Sequence, residues 1–294
     1  MALPNPLLQQ LGKQLEIYRE RAGIGPEQVD ANRRLGWYAG KCERVERGIR
    51  GVTPAELHML ADQYKLTETE LDALLELAER ARKRARVSHV AEWARPIVLL
   101  EQAAQEFDYY DEALIPAVCQ TPGYARDLLS RAKPDDLEDR LAARLERGGI
   151  LTKPDAPRVR IVLGESALHR LPADADAARE QLEHLETVMH DVPSADLRIL
   201  PWTYGLHPLL GFACNIFRLA NPNITQVYLE VATTSNVITE PDEAMLYEGR
   251  FETLYDAADP SESARILRTR IQQLGTRRRH DKREMGSAEK VNSV

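Results

Sequence analysis

The stretch from Gly36 to Gly48 constrains this chain most. It reads Gly36-Trp37-Tyr38-Ala39-Gly40-Lys41-Cys42-Glu43-Arg44-Val45-Glu46-Arg47-Gly48. A glycine-bounded turn leads into about two to three helical turns over residues 39–47, and the closing glycine suits a helix C-terminus. Cys42 and Val45 share a helical face and can point into a core together. Lys41, Arg44 and Arg47 recur at the same spacing on a neighbouring face that should stay outside. A buried stripe beside a basic stripe is what the second helix of a helix-turn-helix needs to enter a major groove. An ordinary amphipathic surface helix is the alternative, and the neighbourhood decides between them.

That neighbourhood is helical. Leu8, Leu11, Leu15 and Tyr18 follow helical spacing over residues 7–22, and Gly23 and Gly25 end the run. Pro26 opens a second helix reaching about Leu35, with the Gly36 stretch as the third. Thr53-Pro54-Ala55-Glu56 has capping-box register and starts a fourth helix with Leu57, Leu60, Ala61 and Tyr64 on its core face. Thr67-Glu68-Thr69-Glu70 repeats the pattern for a fifth, long helix. Its basic end, Glu79 to Arg86, is either a solvated face or a further phosphate contact.

The net charge of -7 argues against a nucleic-acid partner only if charge is evenly spread. Arg33, Arg34, Lys41, Arg44, Arg47 and Arg50 stand against Glu43 and Glu46 in one segment, while acidic residues concentrate after residue 100. No apolar run approaches membrane-span length, and no signal peptide is expected. Three scattered cysteines, Cys42, Cys119 and Cys214, form neither a disulfide framework nor a metal-spaced set, which fits a reduced cytoplasm.

Beyond residue 90 strands alternate with helices. Phe107–Tyr110, Val159–Leu163, Leu197–Leu200, Phe212–Leu219 and Gln226–Val231 read as strands. Helices at Ala175–His190, Asp242–Tyr255 and Ser261–Gln273 would cover one face of a small mixed sheet. The expected fold is mainly α with a smaller α/β part: a five-helix bundle over residues 1–90, a mixed α+β domain over 91–276, and a charged, disordered tail over 277–294. The boundary falls near Val87 to Trp93, where the leucine periodicity stops.

The order Leu11-to-Gly23, Leu35-Gly36-Trp37, Lys41-to-Gly48 and Thr53-Pro54 with Leu57 and Leu60-Ala61 resembles the Xre/Cro-type helix-turn-helix. Leu114-Ile115-Pro116-Ala117-Val118-Cys119-Gln120-Thr121-Pro122-Gly123-Tyr124-Ala125-Arg126 resembles the signature of an antitoxin-like domain of unknown function found in many actinobacterial Xre regulators. There the family has Gly-Leu-Leu at the place of Ala117-Val118-Cys119. The two resemblances cover nearly the whole chain to about residue 275. They imply a homodimeric regulator bound to a palindromic duplex operator. Its second half would serve a small acidic companion protein or a small-molecule effector.

The residues expected at DNA are Arg33, Arg34, Tyr38, Lys41, Arg44, Arg47 and Arg50, with Lys41 and Arg44 nearest base edges. No cofactor, metal or catalytic residue is expected. Candidate ligand contacts are Tyr109, Cys119, Gln120, Glu165, Trp202, Tyr204 and His207. Cys119 reads first as a small buried residue, and Glu165 with His169 as a surface pair one helical turn apart. The loop Trp202 to Pro208 leaves a strand end, where ligands often bind. Gly40, Glu43 and a long Gly23–Gly36 segment motivate the rival reading, an enzyme or small-molecule-binding protein that kept this architecture and lost operator binding. A purely protein-binding, antitoxin-like role is the third.

Overall fold

A computed structural model describes residues 5–82, 90, 94–219, 224–231 and 234–291, with side chains to residue 275. Contacts divide the chain into two compact units, Met1–Gln105 with Arg218–Gln226, and Glu106–Phe217 with Val227–Val294. Most of the segment predicted to hold the domain boundary lies outside the described residues, as does the end of the basic run beyond Arg82.

The first unit carries α1 (Pro6–Arg21), α2 (Pro26–Asp30), α3 (Lys41–Glu46), α4 (Pro54–Tyr64) and α5 (Glu68–Arg82). Each long helix starts on a side-chain cap. Asn5 accepts from the Leu7 amide at 3.0 Å, and Thr53 and Glu56 exchange bonds at the head of α4. Thr67 and Glu70 do the same for α5. Such caps satisfy amides that a helix leaves open and contribute about 1 kcal/mol each. Leu11, Leu15, Val29, Val45, Leu57, Leu60, Tyr64 and Leu74 are all buried and form the core.

Two boundaries differ from the sequence reading. α2 stops at Asp30 instead of near Leu35, and α3 spans Lys41–Glu46 instead of 39–47. Past the end of α2, Asn32 ties the chain to α4: its Nδ2 donates to Gln63 at 2.8 Å and its Oδ1 accepts from the Arg34 amide at 3.0 Å. Gly36 and Gly40 then adopt φ of 61° and 82°, the left-handed region that cannot continue a helix.

A six-stranded sheet of order β3-β2-β1-β4-β5-β6 follows, most of it in the second unit. The strands are β1 (Glu106–Asp111), β2 (Arg158–Gly164), β3 (Ala195–Leu200), β4 (Cys214–Leu219), β5 (Ile224–Val231) and β6 (Thr234–Ile238). β1, β2 and β3 pair in parallel, and β5 pairs antiparallel with β6, which the sequence reading missed. Parallel neighbours need long crossovers. The first contains α7 (Pro122–Ser130) and α8 (Leu137–Gly148), the second α9 (Ala175–Asp191). Consecutive residues Tyr109 and Tyr110, Ile161 and Val162, and Ile199 and Leu200 are all buried. Adjacent strand residues point to opposite faces, so the sheet is covered on both faces, not one.

Two further helices follow, α10 (Pro241–Ala257) and α11 (Pro260–Val291), while α6 (Arg95–Ala103) precedes β1. Phe251, Leu254 and Ala258 join Tyr110, Val162 and Leu200 in one apolar cluster, which seats α10 on the sheet. Arg160 adds a polar clamp, bonding Asp108 at 2.7 and 2.8 Å and Glu252 of α10 at 2.7 and 3.0 Å. α11 continues past residue 276, where a disordered tail was expected. Its Arg-, Lys- and Glu-rich sequence has high intrinsic helix preference, which the absence of a core had outweighed in the sequence reading.

Gly12, in the middle of α1, marks the closest approach in the bundle. A Cβ there would collide with the backbone carbonyls of Val45 and Glu46 at the end of α3. Gly12→Ala is therefore expected to destabilise the protein by about 1–3 kcal/mol in urea unfolding through overpacking. Gly249→Ala, inside α10 with open space around it, should instead stabilise by about 0.5–1 kcal/mol.

Candidate nucleic-acid interface

At six residues, α3 is too short to be stable alone. Side chains from three neighbouring helices hold it. Asp30, at the end of α2, accepts from the amides of Gly40 at 2.6 Å and Cys42 at 2.8 Å, capping the N-terminus of α3. Arg19 of α1 grips Glu46 with both arms, Nε to Oε1 at 2.6 Å and Nη2 to Oε2 at 3.1 Å, while its Nη1 donates to the Ile24 carbonyl at 2.8 Å. That guanidinium and carboxylate are 10% and 9% exposed, so removing either strands a buried charge. Cys42 and Val45 point inward as expected. Burial, followed by Glu46, pushes the Cys42 thiol up to about 12, so it is an inert packing group.

The third anchor is Glu56 of α4. Its Oε2 completes the capping box, accepting from the Thr53 amide at 2.8 Å, and its Oε1 accepts from Lys41 Nζ at 2.6 Å and Trp37 Nε1 at 2.7 Å. The Lys41 ammonium also lies 4.5 Å from the centre of the Trp37 ring. Lys41 is thus folded inward, with its side chain 20% exposed. This corrects its expected place near a base edge: Glu56 and Trp37 offer it a paired charge and a π face at once.

The remaining basic side chains stay outside. Arg33, Arg44, Arg47 and Arg50 are exposed, and Arg34 is exposed with a loose pairing to Asp62 at 3.6 Å. Tyr38 is half exposed, and hydrogen bonding to Arg44, helped by Arg50, holds its phenol below the usual range. Tyr38, Arg44 and Arg50 therefore form one cationic cluster with an aromatic hydroxyl at its centre. Gly48, at φ 69°, turns the chain out of α3 beside α1, where a Cβ would meet the Gln9 backbone at 2.7 Å, and this turn leads into Ile49 and Arg50.

The candidates in the second unit divide. Tyr109 is core, edge-on to Phe217 at 6.2 Å. Cys119 is fully buried, its thiol pushed up to about 12 by burial, and Gln120 is buried with Nε2 donating to the Ile115 carbonyl at 2.6 Å. None of these three faces an open site. Glu165, Trp202, Tyr204 and His207 converge at the carboxyl ends of β2 and β3. Glu165 and His169, expected to pair with each other, both reach Trp202. Glu165 accepts from the Trp202 amide at 3.0 Å, and His169 stacks on the Trp202 ring at 4.7 Å. Among the described residues no cluster could hold a metal ion, and no helix is long and apolar enough to cross a membrane.

The short, externally anchored α3 with its arginine face belongs to the helix-turn-helix class, and residues 10–74 match the family described as a helix-turn-helix domain. Residues 94–269 match the family described as Domain of unknown function (DUF5753), and the chain belongs to that family. No curated protein matches the chain, and no solved structure does.

Sequence reasoning missed Arg19, Asp30 and the second role of Glu56. Arg19 left a trace, since it follows Leu15 by one helical turn inside an apolar stripe. The capping box at Thr53 was legible, but the partners of the second Glu56 oxygen come from a distant segment.

Burial raises the Glu56 pKa, but bonds from Lys41, the Thr53 amide and Trp37 overcome it and hold the carboxyl at about 2. The unfolded value is about 4.3, so this carboxylate stabilises the fold fully above about pH 5 and loses its contribution as pH falls towards 2. The stability gap between wild type and Glu56→Gln, from urea unfolding at several pH values, should be widest near neutrality and close across that window. A gap independent of pH would show that the Glu56 charge contributes nothing.

Proposed function

We propose that the protein is a sequence-specific DNA-binding transcriptional regulator of Xre/Cro-type, acting in the cytoplasm as a homodimer on a palindromic operator. The observation that carries this reading is the exposed Tyr38, Arg44, Arg47 and Arg50 surface on and beside α3. A guanidinium matches a guanine edge bidentately, and neighbouring guanidiniums hold phosphates. Arg44, near the middle of α3, is the proposed base-reading residue, with Arg47, Arg50, Arg33 and Arg34 on the backbone. Lys41 is proposed as a positioning residue that orients α3 through Glu56. The second unit is proposed as an antitoxin-like sensor or interaction half, serving a small acidic companion protein or a small-molecule effector.

Fluorescence anisotropy against a duplex from the upstream region and a scrambled duplex, at two salt concentrations, tests this. Specific binding should weaken steeply with salt. Arg44→Ala should cost about 1–3 kcal/mol on the specific duplex and relax discrimination, whereas Arg47→Ala should weaken both duplexes alike and lower the salt slope by about one. Lys41→Ala should lower thermal stability with little change in salt slope. Equal affinity for both duplexes would remove the operator reading and favour a ligand-binding or catalytic protein on the same architecture.

A further inference from the structure

The carboxyl ends of the parallel strands hold a second set of side chains that DNA binding does not use. Tyr110 Oη donates to Glu112 Oε2 at 2.7 Å, so its only proton is committed. His207 Nε2 lies 3.1 Å from the same hydroxyl and must therefore donate to it. In the neutral ring this places the proton on Nε2 and leaves a bare lone pair on Nδ1. Burial, opposed by Glu112, holds His207 below its usual pKa, which keeps this neutral form at neutral pH. The His207 side chain is 2% exposed, and Nδ1 is buried with no partner among the described residues. A buried acceptor without a donor is unfavourable, and native structures rarely leave one.

The surroundings say what kind of donor fits. The Glu112 carboxylate is held by Ser166 Oγ at 3.2 Å and by Tyr110, and lies over Gly164, where a Cβ would meet it at 2.5 Å. His207 Nε2, 3.8 Å away, is the nearest basic group to Glu112 among the described residues. Glu165 is spent on the Trp202 amide, also without a lysine or arginine partner among them. The ring of Tyr204 stands 6.0 Å from that of His207, and Trp202 is 56% exposed beside it. Leu206, Leu210 and Phe212 are exposed on the same loop, where Gly205 and Gly211 take φ of 80° and 86°. Two carboxylates and several π faces at the end of the sheet that carries this acceptor favour a cation that can donate a hydrogen bond. The carboxyl ends of parallel strands are also where open sheets of this kind commonly bind ligands.

We propose that this end of the sheet binds a small organic ammonium ion with an apolar body. Its N–H bonds His207 Nδ1, Glu112 on the Nε2 side of the ring and Glu165 at the same strand ends make the surroundings negative, and the 201–212 loop lays its apolar side chains against the ligand. The proposal stands whether or not the protein binds DNA.

The test uses the full-length protein with phenethylammonium as probe and benzoate as anionic counterpart, followed by long-range proton–nitrogen spectra of the histidine rings. In the free protein His207 should show a pyridine-type Nδ1, and saturating phenethylammonium should shift that resonance upfield while benzoate leaves it unmoved. His207→Gln keeps a polar group at the Nε2 position and loses the Nδ1 acceptor, so affinity should fall about ten-fold or more. His207→Asn places an acceptor where Nδ1 stands and should retain more affinity than the glutamine variant. A proton found on Nδ1, no saturable shift, preference for benzoate, or equal loss in the two variants would overturn the proposal. The wild-type spectra decide it even if a variant fails to fold.

Discussion

Everything proposed for the first unit depends on how three carboxylates hold a helix of one and a half turns. Asp30 caps its first amides, Glu46 ties its last turn to Arg19, and Glu56 draws in Lys41, its first residue, with Trp37 from the turn before it. A helix of this length has no cooperative stability of its own, so its direction is set by these bonds and by Cys42 and Val45 in the core. Gly12 and Gly48 add the close backbone approaches that allow the bonds to form. The exposed arginine face follows from the way the rest of α3 is held.

This division of labour resolves the conflict between net acidity and an anionic partner. Several acidic side chains in the first unit are internal ties, not free surface charge: Glu46 and Glu56 are nearly buried against cations. One cation, Lys41, is consumed in the same way. The cations that remain exposed around α3, beside the exposed Glu43, are arginines, whose planar fork suits guanine and phosphate better than a lysine ammonium does. The local field therefore differs in sign from the chain as a whole.

Periodicity and capping made much of the fold legible. Thr53 with Glu56 and Thr67 with Glu70 announced α4 and α5, and β1, β2 and β3 sit where branched and aromatic residues cluster. What escaped was set by distant partners. The end of α2 depends on Gln63 and on two glycines at positive φ, and the inward turn of Lys41 depends on Glu56. β6 is short and polar, without the apolar alternation that marks a half-buried strand. At the candidate sites, the arginines could be read from spacing alone. Tyr110, Glu112 and Ser166 could not, because parallel pairing is what brings the ends of β1 and β2 side by side.

The claim that α3 is held from outside is tested most directly by native-state amide hydrogen exchange across the first unit. With α3 held by Asp30 and Glu46, the Cys42 amide, bonded to Asp30, and the amides closing the end of α3 exchange only by opening of the whole bundle, with the same free energy as the core of α1. Asp30→Asn should then release α3 selectively. Fast exchange of the α3 amides in the wild-type protein, with α1 still protected, would mean that the helix frays freely and that the carboxylate anchors do not set its orientation.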